Sequence, residues 1–519
     1  NEDVKCVRPC VGPEQEYFLI DKTMYEKRKD LVFCGRTLFG AKPPKGQELD
    51  DHYFGAIKPR VEAYMEDLNT ELWKLGILAK TEHNEVAPSQ HELAPIFSVA
   101  NIATDHNQLT MEIMQKVASR HGLVCLLAEK PFAGVNGSGK HNNWSLATDT
   151  GVNLFKPGET PYENAQFLLF LCAAVQAVDN YQDLLRLSVA TAGNDHRLGA
   201  NEAPPAVISI FLGDELTAVL DAIETDTPYS GTEKTVLKLG VHVLPKFTRD
   251  TTDRNRTSPF AFTGNKFEFR MVGSSDSIAC ANIMLNAAIA ETLKEFADRL
   301  EGVPDFESAL HDLIKEAIKA HKRIIFNGNG YDDAWIKEAT EKRGLLNLRT
   351  TPDALSTVLE KKNVEMLTSL KIFSEAEIHS RYEICLENYC KTVNIEGLTM
   401  VDMARKEILP AVEAYLGNLS GTVAAKTAAV PGLACKYEKD LISKLSKLAD
   451  EISDAASSLD TTLIRLKAIP DVTDAAYVIR DVVLQKMAEL RVVCDEAESI
   501  TADKYWPFPT YGDLLFGVR

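Results

Sequence analysis

Polar and apolar positions alternate with period two in three stretches of this chain, and each sets charged or imidazole groups on a strand face otherwise fit for a core. In Val11 to Ile20, VGPEQEYFLI, Glu14 and Glu16 share one face while Tyr17 and Leu19 take the other. In Lys266 to Val272, KFEFRMV, Lys266, Glu268 and Arg270 face one way and Phe267, Phe269 and Met271 the other. After a glycine-rich turn, His141, Asn143 and Ser145 stand opposite Trp144 and Leu146. A fourth stretch, Thr81 to Pro95, TEHNEVAPSQHELAP, sets Glu85 and Glu92 among apolar residues and prolines and also reads as a strand. A helical period predicts helices over 59–75, stopped by Gly76, and over 101–121, stopped by Gly122, with a short strand at 123–128. Strand and helix alternate to about Arg299, which predicts an α+β or α/β body. Further on, Leu441, Leu445, Leu448, Ile452, Ala455, Leu459, Leu463 and Leu466 recur at three- and four-residue steps. Pro470 ends this stripe and 474–490 repeats it, so a helical hairpin is expected, with a stripe suited to packing on another helix and to assembly.

Buried carboxylates cost several kcal/mol each unless paired or coordinated. Hard divalent cations such as magnesium or manganese take oxygen ligands with an occasional imidazole. Polar-out alternation on a sheet with one wet face explains any single strand. Four such strands, holding five carboxylates and an imidazole, fit better a sheet whose polar face lines a metal-holding cavity.

Composition narrows the setting. The 519 residues are 45% hydrophobic and 25% charged, an ordinary globular chain long enough for two or more domains. Its 57 basic and 75 acidic residues leave a net charge of −18, which disfavours nucleic acid and anionic membrane as partners. The longest apolar run, at 167–178, is too short to span a bilayer, and no basic-plus-apolar signal segment opens the chain. The ten cysteines form no CxxC pair, so reduced thiols and a cytoplasmic location are expected. The chain opens on Asn1, not Met, with its first site-bearing strand ten residues in, which predicts that sequence preceding it is absent.

The loop 134–141, GVNGSGKH, nearly matches a phosphate-cradling GxxxxGK[ST] motif. His141 replaces the hydroxyl, and the next residues read as a strand where a helix N-terminus is needed. Its glycines instead permit close backbone approach to a small ligand, with Asn136 as donor and acceptor. Arg197 and Glu202 lie on the loop DHRLGANEAPP, and Arg249, Arg254 and Arg256 crowd RDTTDRNRTSPFAF, where a solvated basic loop is the plain reading. Arginine forks match carboxylate and phosphate oxygens, so metals, arginines and a glycine loop together point to phosphoryl transfer to a carboxylate.

Six motifs in order, GPEQEYFLI, EVAPSQHE, NGSGKHNNWS, RLGANEAPP, RNRTSPF and KFEFR, resemble the catalytic-domain signatures of glutamine synthetase. The likeness extends through 350–389, and the C-terminal region with its ending YWPFPTYGDLLF is similar to the long, type III form. The resemblance implies an α+β catalytic domain over 1–395, a curved antiparallel sheet lining the site, and a helical C-terminal domain over 396–519. It also implies that the family's N-terminal β domain is missing, and with it a complete ammonium site.

Carried over, the resemblance gives Glu16, Glu85 and Glu92 to the ion nearer glutamate and ammonium, and Glu14, His141 and Glu268 to the ion bridging ATP phosphates. Arg197 and Arg270 would bind glutamate carboxylates, with Asn136 and Gly137 at its amino-acid end. Arg256 would stabilise the transferring phosphoryl group, Glu202 would sit on a flap and take a proton from ammonium, and Tyr53 would line that pocket. Asn143, Ser145 and Lys266 would meet the nucleotide, although Ala261 stands where many relatives have a phosphate-binding arginine, Asn143 where some have histidine, and Lys266 where arginine is common. The implied reaction joins glutamate, ammonium and ATP through an acyl phosphate, with two or more Mg2+ or Mn2+ ions per site, in a homododecamer of two hexameric rings. A ligase for another amine, or a silent scaffold, are the other readings.

Overall fold

A fifteen-residue strand, β1 (Val7–Asp21), is the spine of the sheet. After it come β2 (Ala79–Asn84), β3 (Gln90–Pro95), β4 (Ser98–Val99), β5 (Leu123–Leu126), β6 (Gly139–Thr148), β7 (Ile210–Phe211), β8 (Phe260–Phe262) and β9 (Phe267–Gly273). The computed structural model describes residues 3–229 and 257–518, so Arg249, Arg254 and Arg256 lie outside the described residues. The sheet runs β2-β3-β1-β6-β9-β8-β7, with β4 and β5 also on β1. Gln15 pairs with both Leu93 and Lys140, and Phe18 with both Gln90 and Leu126, so β3 lies along one edge of β1 while β6 and then β5 lie along the other. All pairs are antiparallel except β7 with β8, which is parallel, so the wholly antiparallel sheet expected from the sequence is corrected at that one pair.

The helices form where the periodicity places them, at Pro59–Lys74 and Ala100–Arg120, each followed by a left-handed glycine, Gly76 and Gly122. Thr81 to Pro95 is not a continuous strand. Glu85 to Ser89 turn the chain from β2 into β3, Glu85 N donates to Gln90 O at 2.9 Å, and Glu85 therefore sits just past a strand end. The run at 167–178 lies in the helix Ala165–Asn180, most of which is buried, and no helix among the described residues is long and apolar enough to cross a membrane. All ten cysteines are free thiols.

One apolar core lies behind the sheet. Trp144, Phe260 and Phe267 stack there with Phe155, Phe260 and Phe267 having centroids 4.7 Å apart, and Trp144 Nε1 donates to Asn286 Oδ1 at 2.8 Å on the covering helix Ile278–Leu300. A second core joins Leu38, Phe39, Leu184 and Met284 to the C-terminal helices. The helix Glu375–Met403 runs unbroken through position 395. In the helix Lys436–Leu466, Leu445, Leu448, Ile452, Leu459, Leu463 and Leu466 are buried within the same chain, packed against the helices Leu409–Ala429 and Leu484–Ile500. The stripe is thus used inside the chain. A π-helical turn, Ile479–Val483, joins Val472–Val478 to Leu484–Ile500 where the sequence pattern predicts one regular helix.

Candidate active site

Register alone gathers the polar groups, because residues directly opposite each other in an antiparallel pair share a face. Glu14 stands opposite His141, Asn143 opposite Glu268, Glu16 opposite Glu92, and Glu92 opposite His83. Four of the five carboxylates therefore lie on one face of four adjoining strands. Glu85 joins them from the turn.

His83, Glu85 and Glu92 each offer one ligand atom, and these lie within 4.8 Å of one another. His83 Nε2 is 2.9 Å from Glu85 Oε1 and its Nδ1 is 3.9 Å from Glu92 Oε1. Glu16 stands beside this group and its Oε2 accepts the Gly139 N–H. Burial first, and then the charge of Glu85, push the Glu16 carboxyl up to about 7. An oxygen-rich set with one imidazole fits a magnesium- or manganese-type ion.

The second predicted set is partly assembled. Glu14 Oε2 lies 3.2 Å from His141 Nδ1, and Glu14 Oε1 accepts from Asn143 Nδ2 at 2.9 Å. Burial works to raise the Glu14 carboxyl, but the hydrogen bond and charge of His141, with Asn143 and Lys266, hold it at about 2. Glu268 is turned toward Arg270, 3.0 Å away, with Lys266 at 4.0 Å. Lys266 also donates to Asn143 Oδ1. Glu14, Asn143, Ser145 and Lys266 line one cleft of about 290 Å³, together with Phe97 and Lys80.

Arg197 is 3% exposed and lies against the backbone of Gly139, where an added Cβ would come within 2.0 Å of Nη2. Its Nη2 donates to Arg270 O at 3.2 Å and its Nη1 to Asn194 Oδ1 at 3.3 Å, while Nε has no acceptor among the described residues. Asn136 bridges the glycine loop to the next one: its Nδ2 donates to Glu202 Oε2 at 3.1 Å, and its N–H and Oδ1 are both engaged by Gln47, at 2.7 and 2.8 Å. Gly137 O accepts from Gln90 Nε2 at 3.0 Å. Asn201 and Glu202 both adopt left-handed backbone, φ 53° and 68°, a conformation that non-glycine residues hold only where surroundings impose it. Tyr53 is 37% exposed and meets the His83 ring edge-on at 6.1 Å between centroids.

The sequence reading missed His83, Gln47 and His52, whose Nδ1 lies 2.7 Å from Glu85 O. For His83 a signal existed, since it stands two residues before Glu85 in TEHNE and so projects to the same side. Gln47, in a polar loop, carried none. Arg256 lies outside the described residues.

Comparison with known proteins bears on the family of the chain. A family model described as the glutamine synthetase catalytic domain matches residues 2–208, and one described as the glutamine synthetase C-terminal domain matches residues 309–427. The chain is similar to the glutamine synthetase of Butyrivibrio fibrisolvens, with 51% identity over 100% of this chain and 74% of that protein. It is 45% identical to the type-3 glutamine synthetase of Dictyostelium discoideum, over 99% of this chain and 71% of that one. Identity to the glutamine synthetase of Bacteroides fragilis is also 45%, over 98% and 71%.

Proposed function

This chain belongs to the glutamine synthetase family of glutamate–ammonia ligases, and from that premise we propose that it uses ATP to join ammonia to the side-chain carboxylate of glutamate through γ-glutamyl phosphate. The observation that carries the reading is the single sheet face on which Glu14, Glu16, Glu92, His141 and Glu268 converge with Arg197 and Arg270 at its border.

In this reading Glu16, Glu85 and Glu92, with His83 beside them, hold one divalent ion, and Glu14, His141 and Glu268 hold a second. Magnesium or manganese bound there supplies positive charge to the phosphate oxygens of ATP. Arg197 and Arg270 grip the glutamate carboxylates, and Asn136 with Gly137 fixes the amino-acid end. Asn143, Ser145 and Lys266 border the nucleotide, and Arg256 meets the transferring phosphoryl group. A side-chain carboxylate oxygen bonds to the γ-phosphorus of ATP as the bond to the ADP oxygen breaks. Glu202 takes a proton from ammonium; the freed lone pair forms the C–N bond, and phosphate departs with the electrons of the C–O bond and takes up the second proton that the nitrogen sheds. Asn136, bonded to Glu202, ties that base to the substrate loop, and the left-handed turn at 201–202 sets the carboxylate facing it. Shielding the acyl phosphate from water is the task of this loop, with Tyr53 on the ammonium side.

The same proposal assigns residues 1–395 to catalysis, 396–519 to a helical domain, and the protein to a cytoplasmic homododecamer of two hexameric rings. Free thiols throughout support the compartment. Exposed Leu78, just before the edge strand β2, and exposed Phe97, next to the Ile96 that bonds to Leu78, support association through that edge. The decisive experiment measures phosphate release and glutamine formation by the full protein, omitting magnesium, glutamate and ammonium in turn. Dependence on all three is the expected result. Equal turnover with methylamine in place of ammonium would overturn the substrate assignment, and no turnover with metal and nucleotide bound would overturn the catalytic one.

A further inference from the structure

Beneath the loop that carries Asn201 and Glu202 lies a second cleft, about 260 Å³, lined by Arg36, Lys130, His196, Arg197, Asn201 and Arg491 among others. No acidic side chain lines it, and neither do any of the proposed metal ligands or Asn136. Four cations meet there from four places in the chain: the loop after the helix Lys29–Cys34, the glycine-loop entry, the last residue of the helix Ala192–Arg197, and the C-terminal helix Leu484–Ile500.

Two of the four have carboxylate partners. Arg36 meets Glu396 at 2.6 and 2.7 Å, and Arg491 Nε meets Asp495 at 3.0 Å while its Nη2 donates to the Tyr511 hydroxyl at 2.9 Å. Lys130 donates only to a carbonyl, Val135 O, and Arg197 only to neutral oxygens, with its Nε lacking an acceptor. Neither is ion-paired among the described residues, although the carboxylates of Glu16, Glu129 and Asp276, none of which lines the cleft, act on Arg197; the lining itself carries two unpaired cations. Its potential is felt by its own groups: burial and then Arg197 lower the Lys130 ammonium to about 8, and the charge of Arg36 lowers the exposed His196 imidazole. A guanidinium can only donate, so the 3.1 Å contact of Arg36 Nη2 with His196 Nε2 makes Nε2 the acceptor and leaves the proton on Nδ1. The ring is therefore a neutral donor at the wall of a basic cleft.

We propose that this cleft binds a compact dianion, either a dicarboxylate or a phosphate monoester, and that its occupation couples the C-terminal helix to the loop of Glu202. Two unpaired cations and a neutral N–H donor match two anionic groups in charge and hydrogen bonding. Arg197 is shared with the substrate face, and Asn201 is the neighbour of Glu202, so an anion here holds both where catalysis needs them. The coupling half of the proposal rests on the ligase reading; the binding half does not.

The test is calorimetric titration of the full protein with malonate and, separately, with glycerol 2-phosphate, in the presence and absence of saturating glutamate with magnesium and ADP. One site per chain, retained when the substrates are present, is expected; heat with malonate alone names a carboxylate site, and with glycerol 2-phosphate alone a phosphate site. Lys130→Gln, which removes one unpaired charge, and Ala200→Glu, which tethers a carboxylate at an exposed position on the wall, should each weaken the probe by about tenfold or more. Because Ala200 is exposed, its variant decides the matter should Lys130→Gln fold poorly. Absence of saturable binding at millimolar probe, full displacement by glutamate, or unchanged binding in both variants overturns the site. A bound probe that leaves the glutamate KM of an active enzyme unchanged overturns the coupling, and a protein that binds the probe yet makes no glutamine leaves the site standing while the ligase reading falls.

Discussion

At the scale of single residues, the polar face is a set of carboxylates and imidazoles held at strand spacing, and its members differ in how they answer substitution. Glu92→Gln removes a ligand oxygen from the His83–Glu85–Glu92 group, and Mn2+ titration should show affinity lower by about a hundredfold; His83→Gln should lower it by about tenfold. Unchanged Mn2+ affinity in both would refute the group as a metal site. Glu82, one position earlier, points to the opposite face of β2 and into the surroundings of Tyr17. Burial pushes its carboxyl from the usual 4.5 up to about 7, against a hydrogen bond from Asn69. The unfolded chain ionises this group near 4.5 and the folded chain near 7, so its cost to stability grows as pH rises between those values and is fully present above them. Glu82→Gln should therefore melt above the parent at about pH 8 and together with it at about pH 4. The gathering of Glu14, Glu16, Glu92 and Glu268 on one face was legible in the sequence because their strand spacing fixes the side to which each projects. Gln47 and His52 were not, since polar residues in a polar loop look solvated until the fold brings Asn136 and Glu85 against them.

At the scale of elements, β6 carries two loads. One face presents His141, Asn143 and Ser145, and the other buries Trp144 completely among Phe155, Phe260 and Phe267. Trp144→Ala should cost about 3–5 kcal/mol in urea unfolding and carry the site with it, as the ligands ride the same backbone. Gly139→Ala tests the opposite kind of change: a methyl driven toward the Arg197 guanidinium should raise the glutamate KM, with kcat/KM falling about a hundredfold while unfolding stays cooperative. Most strands and helices follow from periodicity, and the hairpin turn at Glu85 is the instructive miss. The stretch EVAPSQ has the hydrophobic content of a strand, yet Pro88 and the left-handed Ser89, φ 64°, close it into a turn, which displaces Glu85 from the strand but still aims it at His83.

At the scale of the whole molecule, distant parts of the chain complete one another. Phe18 and Ile20, continuing the Glu14–Glu16 face of β1, are covered by Phe132 and by Tyr511, Leu514 and Leu515 of the helix Tyr511–Phe516. Ser89 Oγ donates to Leu515 O at 2.8 Å, and Gly40 has no side chain where the Tyr511 ring lies against it. Leu515→Ala should cost about 2–5 kcal/mol, and because Ser89 belongs to the turn that carries Glu85, Mn2+ affinity should fall too. These long-range pairings leave no periodic trace, which is why the sequence yields the elements but not the packing of the last helix on the first strand. Translation runs the other way. Phe18 and Ile20 leave the ribosome some five hundred residues before Tyr511, Leu514 and Leu515, so they wait as uncovered surface while that length of chain grows, a natural handhold for a chaperone.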